Sequence, residues 1–254
     1  MAHPFPSSAA VLRLVLAAQS LWPASVAAEG DWNGGIAATS RYVFRGLMLR
    51  GDAPALQADL HRRFADGAFV DVAGLDNAFA GVWLSSGPDR RGSYGRHEVN
   101  LYAGLGFRTN ERWALSLRFV HYLYPDSRLG RRYDYDEISA TAGYDDWLTL
   151  TLSASPNTTL FSSQGLVERR PTRAIELSLR QGLMGPVSLV AAAGYYDTEA
   201  LFGTAYRAWN LGLAARLGAV DLSVARFRTD RHARQLFRAG AADGRWALSA
   251  AWSF

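Results

Sequence analysis

Polar, mostly charged side chains recur on one stripe of extended, alternating segments. Arg41, Arg45, Asp59, Arg63, Glu98, Tyr102, Arg108, Arg118, Glu137, Glu176, Arg180, Arg216, Asp221 and Arg245 each fall on the polar stripe of a segment whose other stripe is apolar. A period of two sends the stripes to opposite faces of a strand. If the polar faces enclose water, these side chains line a lumen, where rings of charge screen small hydrophilic solutes by size and sign. The arginine excess would give such a lumen a slight preference for anions. The same mixed set supports a second reading, in which the charges pair across the lumen and brace the wall, because unpaired buried charge is costly.

Other chemistry finds less support. His97 and His121 fall on apolar stripes near the ends of adjacent segments, where a Ser–His pair facing lipid would act on acyl esters. No serine with an orienting Asn or Asp stands obviously beside them in the alternation, and nucleophile, base and orienter are all needed. They read as interfacial imidazoles. His61 points to the polar side alone, and His232 falls in a connection. Asp134, Asp136 and Glu137, with Asp126 nearby, carry oxygen donors for a hard cation, but lack the glycine turn and terminal bidentate Glu of a calcium loop. No HExxH, CxxC or phosphate-binding loop exists. The expectation is a protein with no metal, no cofactor and no enzymatic centre.

The chain has 254 residues, 49% of them hydrophobic, and no cysteine. Its 27 basic residues are all arginine and its formal charge is +4. The pI of about 9.6 raises the question of nucleic acid. No basic stripe interleaved with aromatics appears on one element, which speaks against that partner. Mean hydropathy is −0.07, and no run of about 18 apolar residues follows the N-terminus, so helical spans are excluded. Alternation hides membrane character from such averages. Arg13, the apolar run from Leu14 to Ala18, and Ser25 to Ala28 together read as a secretory leader over residues 1–28, ahead of one domain over 29–254.

The mature chain divides into twelve alternating segments. The first is Trp32 to Arg45, with Ile36, Ala38, Tyr42 and Phe44 on its apolar face. The second is Ala55 to Phe64. The third, Ala68 to Ser86, is long, and Gly74 to Asn77 reads as a bulge or kink inside it. His97 to Phe107 and Trp113 to Leu123 form a hairpin in which a three-residue turn, Thr109 to Glu111, would pair Phe107 with Trp113. Segments follow at Asp134–Tyr144, Leu148–Ser155, Thr172–Leu183, Val187–Tyr196, Tyr206–Leu217 and Val220–Arg228. The last runs to the C-terminus with Trp246, Leu248, Ala250, Trp252 and Phe254 on one face.

Connections alternate short and long, with long ones at 46–54, 87–95, 125–133, 156–171, 197–205 and 229–243. Short turns on one side, long loops on the other and an even strand count describe a transmembrane antiparallel up-and-down β-barrel. Backbone polar groups cannot stay unpaired in hydrocarbon, so the sheet must close. Twelve strands lie between the eight-stranded barrels filled by side chains and the 16–18-stranded open porins. A narrow pore is expected.

Ser40–Gly46 (SRYVFRG), Pro54–Gln57, Phe79–Ser86 (FAGVWLSS), Glu98–Gly106 (EVNLYAGLG) and Tyr122–Pro125 resemble the TorF-type porins of proteobacterial outer membranes. The resemblance implies an outer-membrane channel and is most specific from Ser40 to about Pro125. The ending on Phe254 resembles the C-terminal strand that the barrel-assembly machinery reads in bacterial outer-membrane proteins. Arginines in the long connections, among them Arg90, Arg96, Arg169, Arg170 and Arg231, are placed to meet lipopolysaccharide phosphates, or simply to be solvated. The expected partners are outer-membrane lipid, lipopolysaccharide, the assembly machinery and small polar solutes. A narrow or plugged barrel with a structural role is the alternative to an open channel, ahead of a lipid-active enzyme.

Overall fold

The structure is a computed structural model. It describes residues 32–48, 50, 52–65, 74–87, 96–110, 112–126, 133–145, 147–161, 167–237 and 240–254. The leader assigned to residues 1–28 and the short turn at 66–67 lie outside the described residues.

Twelve strands close into one antiparallel barrel. They are β1 (Trp32–Thr39), β4 (Ala55–Ala65), β5 (Leu75–Ser86), β6 (His97–Arg108), β7 (Trp113–Leu123), β8 (Tyr135–Tyr144), β9 (Leu148–Phe161), β10 (Val167–Met184), β11 (Val187–Asp197), β12 (Tyr206–Leu217), β13 (Val220–Thr229) and β14 (Arg245–Ser253). Each pairs with its neighbour in sequence. β1 closes the circle against β14, with Gly35–Thr39 opposite Ser253–Ser249. Two further short strands, β2 (Val43–Phe44) and β3 (Leu47–Met48), pair only with each other. Short helices α1 (Glu199–Phe202) and α2 (Arg231–Leu236) sit in long connections.

The apolar stripes face outward. Ile36, Leu56, Leu117, Ile138, Leu152, Leu177, Leu211 and Leu248 are all exposed, while Gln57, Asp59, Glu98, Asn100, Ser139 and Thr149 on the opposite stripes are buried inside. Trp32, Trp113, Trp147, Trp252 and Phe254 are exposed at the short-turn end, and Tyr195, Trp209 and Trp246 toward the long-loop end. An apolar belt between two aromatic girdles is the surface a bilayer requires.

Several sequence-based boundaries shift. The first strand ends at Thr39, not Arg45. Tyr42 and Phe44, expected to face lipid, belong to a segment that turns into the barrel, and Tyr42 is 1% exposed. The alternation runs on past Thr39 because β2 is itself extended, so period alone cannot separate the two. Phe107 pairs with Leu115, not Trp113. The turn is longer by two residues, which moves the register while keeping the apolar faces together. The third strand begins at Leu75, and its register shifts between Leu75 and Asn77, where the bulge was expected. Its proposed beginning at 68–73 lies outside the described residues. The connection expected at 156–171 is largely strand: β9 and β10 extend past their neighbours as a hairpin, Thr158–Phe161 opposite Arg170–Val167. The ladder shifts at Pro171, which has no N–H to donate, and two residues of β9, Pro156 and Asn157, stand against that one residue of β10.

Candidate functional site

Twelve strands about 4.8 Å apart and tilted by about 40° enclose a backbone cylinder roughly 24 Å across. The segment 40–54 crosses that space. At its tip, Val43 pairs with Met48 and Phe44 with Leu47 around the two-residue turn Arg45–Gly46. Both turn residues have positive φ, 51° and 77°. Such turns match the twist of a hairpin and normally take Asn, Asp or Gly first. An arginine there costs about 1–2 kcal/mol of backbone strain, so its side chain must be held by something.

It is held by the opposite wall. Arg45 Nη2 donates to Glu137 Oε2 on β8 at 2.6 Å, and both side chains are nearly buried. Its guanidinium stacks 4.9 Å from the Phe44 ring and 5.7 Å from that of Tyr196. At the other end of the segment, Arg41 donates to the carbonyl of Trp246 on β14 and, at 2.9 Å, to Asp52. β8 and β14 are six strands apart in a ring of twelve, so the hairpin is anchored on diametrically opposed strands.

The flanks of the hairpin fill the bore around it. Val43 and Met48 pack against Ala225, Phe227 and Ala247. Leu47 packs with Ala174, Tyr196, Tyr206, Ala208, Ala233 and Ala242. Tyr42 enters a tyrosine-rich cluster with Phe79, Trp83, Tyr102, Tyr122 and Tyr135. Burying Tyr42, Val43, Leu47 and Met48 is worth about 1.5–3 kcal/mol each. Gly46 seats against β12 and β13, where an added Cβ would overlap Ala208 and come within 3.2 Å of Thr229. Met48 N donates to the carbonyl of Ala241, so the β13–β14 connection lies over the plug.

The lumen charges expected from the sequence are largely engaged. Glu98 accepts from Tyr42 Oη at 2.9 Å and from Asn100 at 3.1 Å. Asp59 accepts from Tyr102 Oη at 2.6 Å and stands 2.7 Å from His61 Nδ1. Glu176 accepts from Tyr196 Oη at 2.8 Å. Asp221 bridges Arg216 at 2.9 Å and Arg180 at 3.4 Å. Arg245 reaches Asp243 at 3.4 Å and Asp52 at 3.6 Å. Arg118 is buried with no acceptor for its Nε. Arg63 is half-buried on the inner face, and the side chain of Arg108 lies outside the described residues. Arg41 and Arg45 belong to the plug and not to the wall.

Sequence reasoning missed Tyr42, Trp83 and Arg50 as parts of this site. Arg50 is fully buried, bonds Ser85 Oγ at 3.0 Å and stacks on Tyr42. The readable signal was Val43-Phe44-Arg45-Gly46-Leu47-Met48: apolar pairs flanking an X-Gly dipeptide mark a tight hairpin.

The outward histidines each meet a carboxylate. His121 Nδ1 lies 2.6 Å from Asp136, which Asn157 also bonds at 2.8 Å. His97 Nδ1 lies 3.1 Å from Asp126. Burial raises the Asp126 carboxyl, but the backbone N–H groups of His97 and Arg96 outweigh it and leave it below the ordinary value. Ser86 stands opposite His97 in the register, yet among the described residues no hydrogen bond joins them. Asp134 accepts from Tyr124 N, Asp136 faces out and Glu137 faces in, so these carboxylates do not converge.

The profile of a family described as "Bacterial protein of unknown function (Gcw_chp)" matches residues 24–253, and the chain belongs to that family. Among solved structures, the NanC porin shares the fold with a TM-score of 0.53 at 8% identity, covering 87% of this chain and 98% of that one. The COG4313 outer membrane channel from Pseudomonas putida F1 gives 0.53 at 12% identity, covering 91% and 97%. The KdgM porin gives 0.51 at 10%, covering 87% and 99%. No curated protein matches in sequence.

Proposed function

We propose that the chain is a bacterial outer-membrane channel of the TorF type, passing small hydrophilic solutes by diffusion through a bore that the 40–54 hairpin restricts. The observation that carries this reading is the hairpin itself, anchored at Arg45–Glu137 on one wall and at Arg41–Trp246 on the other, inside a barrel whose exterior is apolar. A barrel built only as a rivet needs no tip residue in a strained turn reaching for a buried carboxylate. A movable restriction needs such a latch.

Channel function, outer-membrane residence and passive transport fit the fold shared with porins. The leader at 1–28, reading of the Phe254 strand by the assembly machinery and contact of the loops with lipopolysaccharide belong to the same reading. Selectivity in it comes from the lumen charges, above all Arg180 and Arg216, two cations that share the one carboxylate of Asp221, and the buried Arg118.

Refolded protein in a planar bilayer tests the reading. The wild type is expected to give small steps, and Arg45→Ala steps several-fold larger. No steps from either would remove the channel. Equal steps would show that the hairpin does not control passage.

A further inference from the structure

Outward-facing strand positions toward the long-loop end carry an uneven charge. Arg207 on β12 and Arg228 on β13 are exposed on the outer surface, and Arg226 is half-exposed beside them. The register places Arg228 opposite Trp209, Arg226 opposite Trp246, and Arg207 opposite Tyr195. Arg207 and Arg228 are therefore diagonal neighbours across the β12–β13 pair, with Arg226 one layer below. The guanidinium of Arg226 stands 5.8 Å from the Trp246 ring, and that of Arg207 stands 6.0 Å from the Tyr195 ring.

Among the described residues none of the three arginines has a carboxylate partner. The acids close by in sequence accept from backbone N–H groups instead of from these guanidinium groups. Asp230 accepts from Ala233 N to cap α2 and from the backbone N–H of Arg207. Asp197 lies opposite Arg173 and accepts from Glu199 N. Directly toward the belt from the patch lie Leu211, Val224 and Leu248, all outward and apolar. The arginines thus sit where the apolar belt gives way to the polar rim. Their aromatic neighbours limit how far the guanidinium planes can turn.

We infer that Arg207, Arg226 and Arg228 form a binding site for the headgroup of a lipid bearing two or more phosphates, with its acyl chains lying on the apolar surface below. Guanidinium groups bind phosphate oxygens in bidentate fashion, and three of them that outnumber the one nearby carboxylate, Asp230, and are not ion-paired with it call for a multiply anionic partner. A phosphate free in solution would satisfy the charge but would leave the adjoining Trp209, Trp246 and leucine surface unused. The inference rests on the membrane part of the function proposed above, and not on transport.

The test uses the full mature chain folded in detergent, titrated with lipid A carrying both phosphates and, separately, with the same lipid dephosphorylated, with binding read by native mass spectrometry. The wild type is expected to retain the bisphosphorylated lipid at least tenfold more tightly than the dephosphorylated one. Combined Arg207→Gln, Arg226→Gln and Arg228→Gln is expected to abolish that difference. Arg62→Gln, at the short-turn end where Arg62 stacks on Trp32 at 5.9 Å, is expected to leave it intact. Equal retention of the two lipids by the wild type, or undiminished discrimination by a triple variant whose circular dichroism shows a folded barrel, would overturn the site. A wild-type chain that stays dissolved as a folded monomer without detergent would instead overturn the membrane reading beneath it.

Discussion

The two halves of the barrel wall are built differently. From β4 to β8 the inner face carries large aromatics and buried carboxylates: Phe79, Trp83, Tyr102, Tyr122 and Tyr135 among Asp59, Glu98 and Glu137. From β12 to β14 the inner face where the hairpin backbone sits is small, Ala208, Ala225 and Ala247 with Thr229 beside them, flanked by the rings of Tyr206 and Phe227. The hairpin lies with its backbone close against the small-residue half and sends its long side chains, Tyr42, Phe44 and Arg45, toward the aromatic half. One half supplies shape and backbone acceptors, the carbonyls of Trp246 and Ala241, and the other supplies side-chain partners and most of the ring contacts. A plug held by shape on one side and by a few bonds on the other has a direction in which it can swing.

The strongest way to break the comparison is to spoil the shape. Gly46→Val puts a β-branched residue at a φ of 77° and drives its side chain into Ala208 and Thr229. Expulsion of the hairpin is expected, read as protease cleavage within 40–54 and a several-fold rise in conductance with the barrel intact. Intact protection would mean that the small half is not the seat. Next is the polar side. Arg45→Gly relieves the turn strain but leaves Glu137, and Glu176 near it, without their cation. Breaking one partner of a buried pair costs about 3–5 kcal/mol, offset here by roughly 1 kcal/mol of released strain. Partial opening is expected. Adding Glu137→Gln to Arg45→Gly is expected to close the channel part of the way again. A double variant as open as the single would argue that the pair contributes little to seating.

The barrel was legible in the sequence because each strand repeats the same instruction: apolar out, polar in, for ten residues or so. Strand order, closure and the polarity of each face followed from it. The plug was not legible for a related reason. Tyr42 and Phe44 obey the same alternation as a lipid-facing strand, but their neighbours are Trp83 and Tyr122 across the lumen, at ring separations of 6.1 and 6.4 Å. Periodicity reports that a side chain is covered by something apolar and does not report by what. The register of the β6–β7 hairpin was misread by two residues because any even slip preserves the faces. Of the charges expected on the lumen wall, Asp59, Glu98, Arg118, Glu137 and Asp221 are buried, whereas Arg41 and Arg45 belong to the plug; some partners, such as Arg180 with Asp221, come from strands far apart in sequence, and no local pattern encodes those pairs.

A smaller effect belongs to the aromatic half. Tyr102→Phe removes the hydroxyl that Asp59 accepts at 2.6 Å and leaves His61 as the remaining side-chain partner of that carboxylate. Loss of about 1–3 kcal/mol is expected, since the bond is to a charged group, read as a lower unfolding midpoint in urea with unchanged conductance. A change in conductance as well would mean that this half moves with the plug and is not merely its backstop.

The smallest expected effect is on the tether at the root of the plug. The hydrogen bond from Arg41 holds the Asp52 carboxyl below its ordinary value. A group whose pKa is lowered by folding contributes stability above its unfolded pKa and loses it as pH falls through the folded one. The Arg41–Asp52 bond is therefore fully present at neutral pH and is lost only in acid below the ordinary carboxylate range of about 4. Asp52 is half-exposed, so solvent screens the pair and the contribution is modest. Conductance is expected to stay flat from pH 8 to about pH 4, then rise slightly, with Asp52→Asn removing the acid rise and shifting the neutral value little. A transition centred near pH 6.5 would point to an imidazole instead. Control of the plug would then lie away from its root.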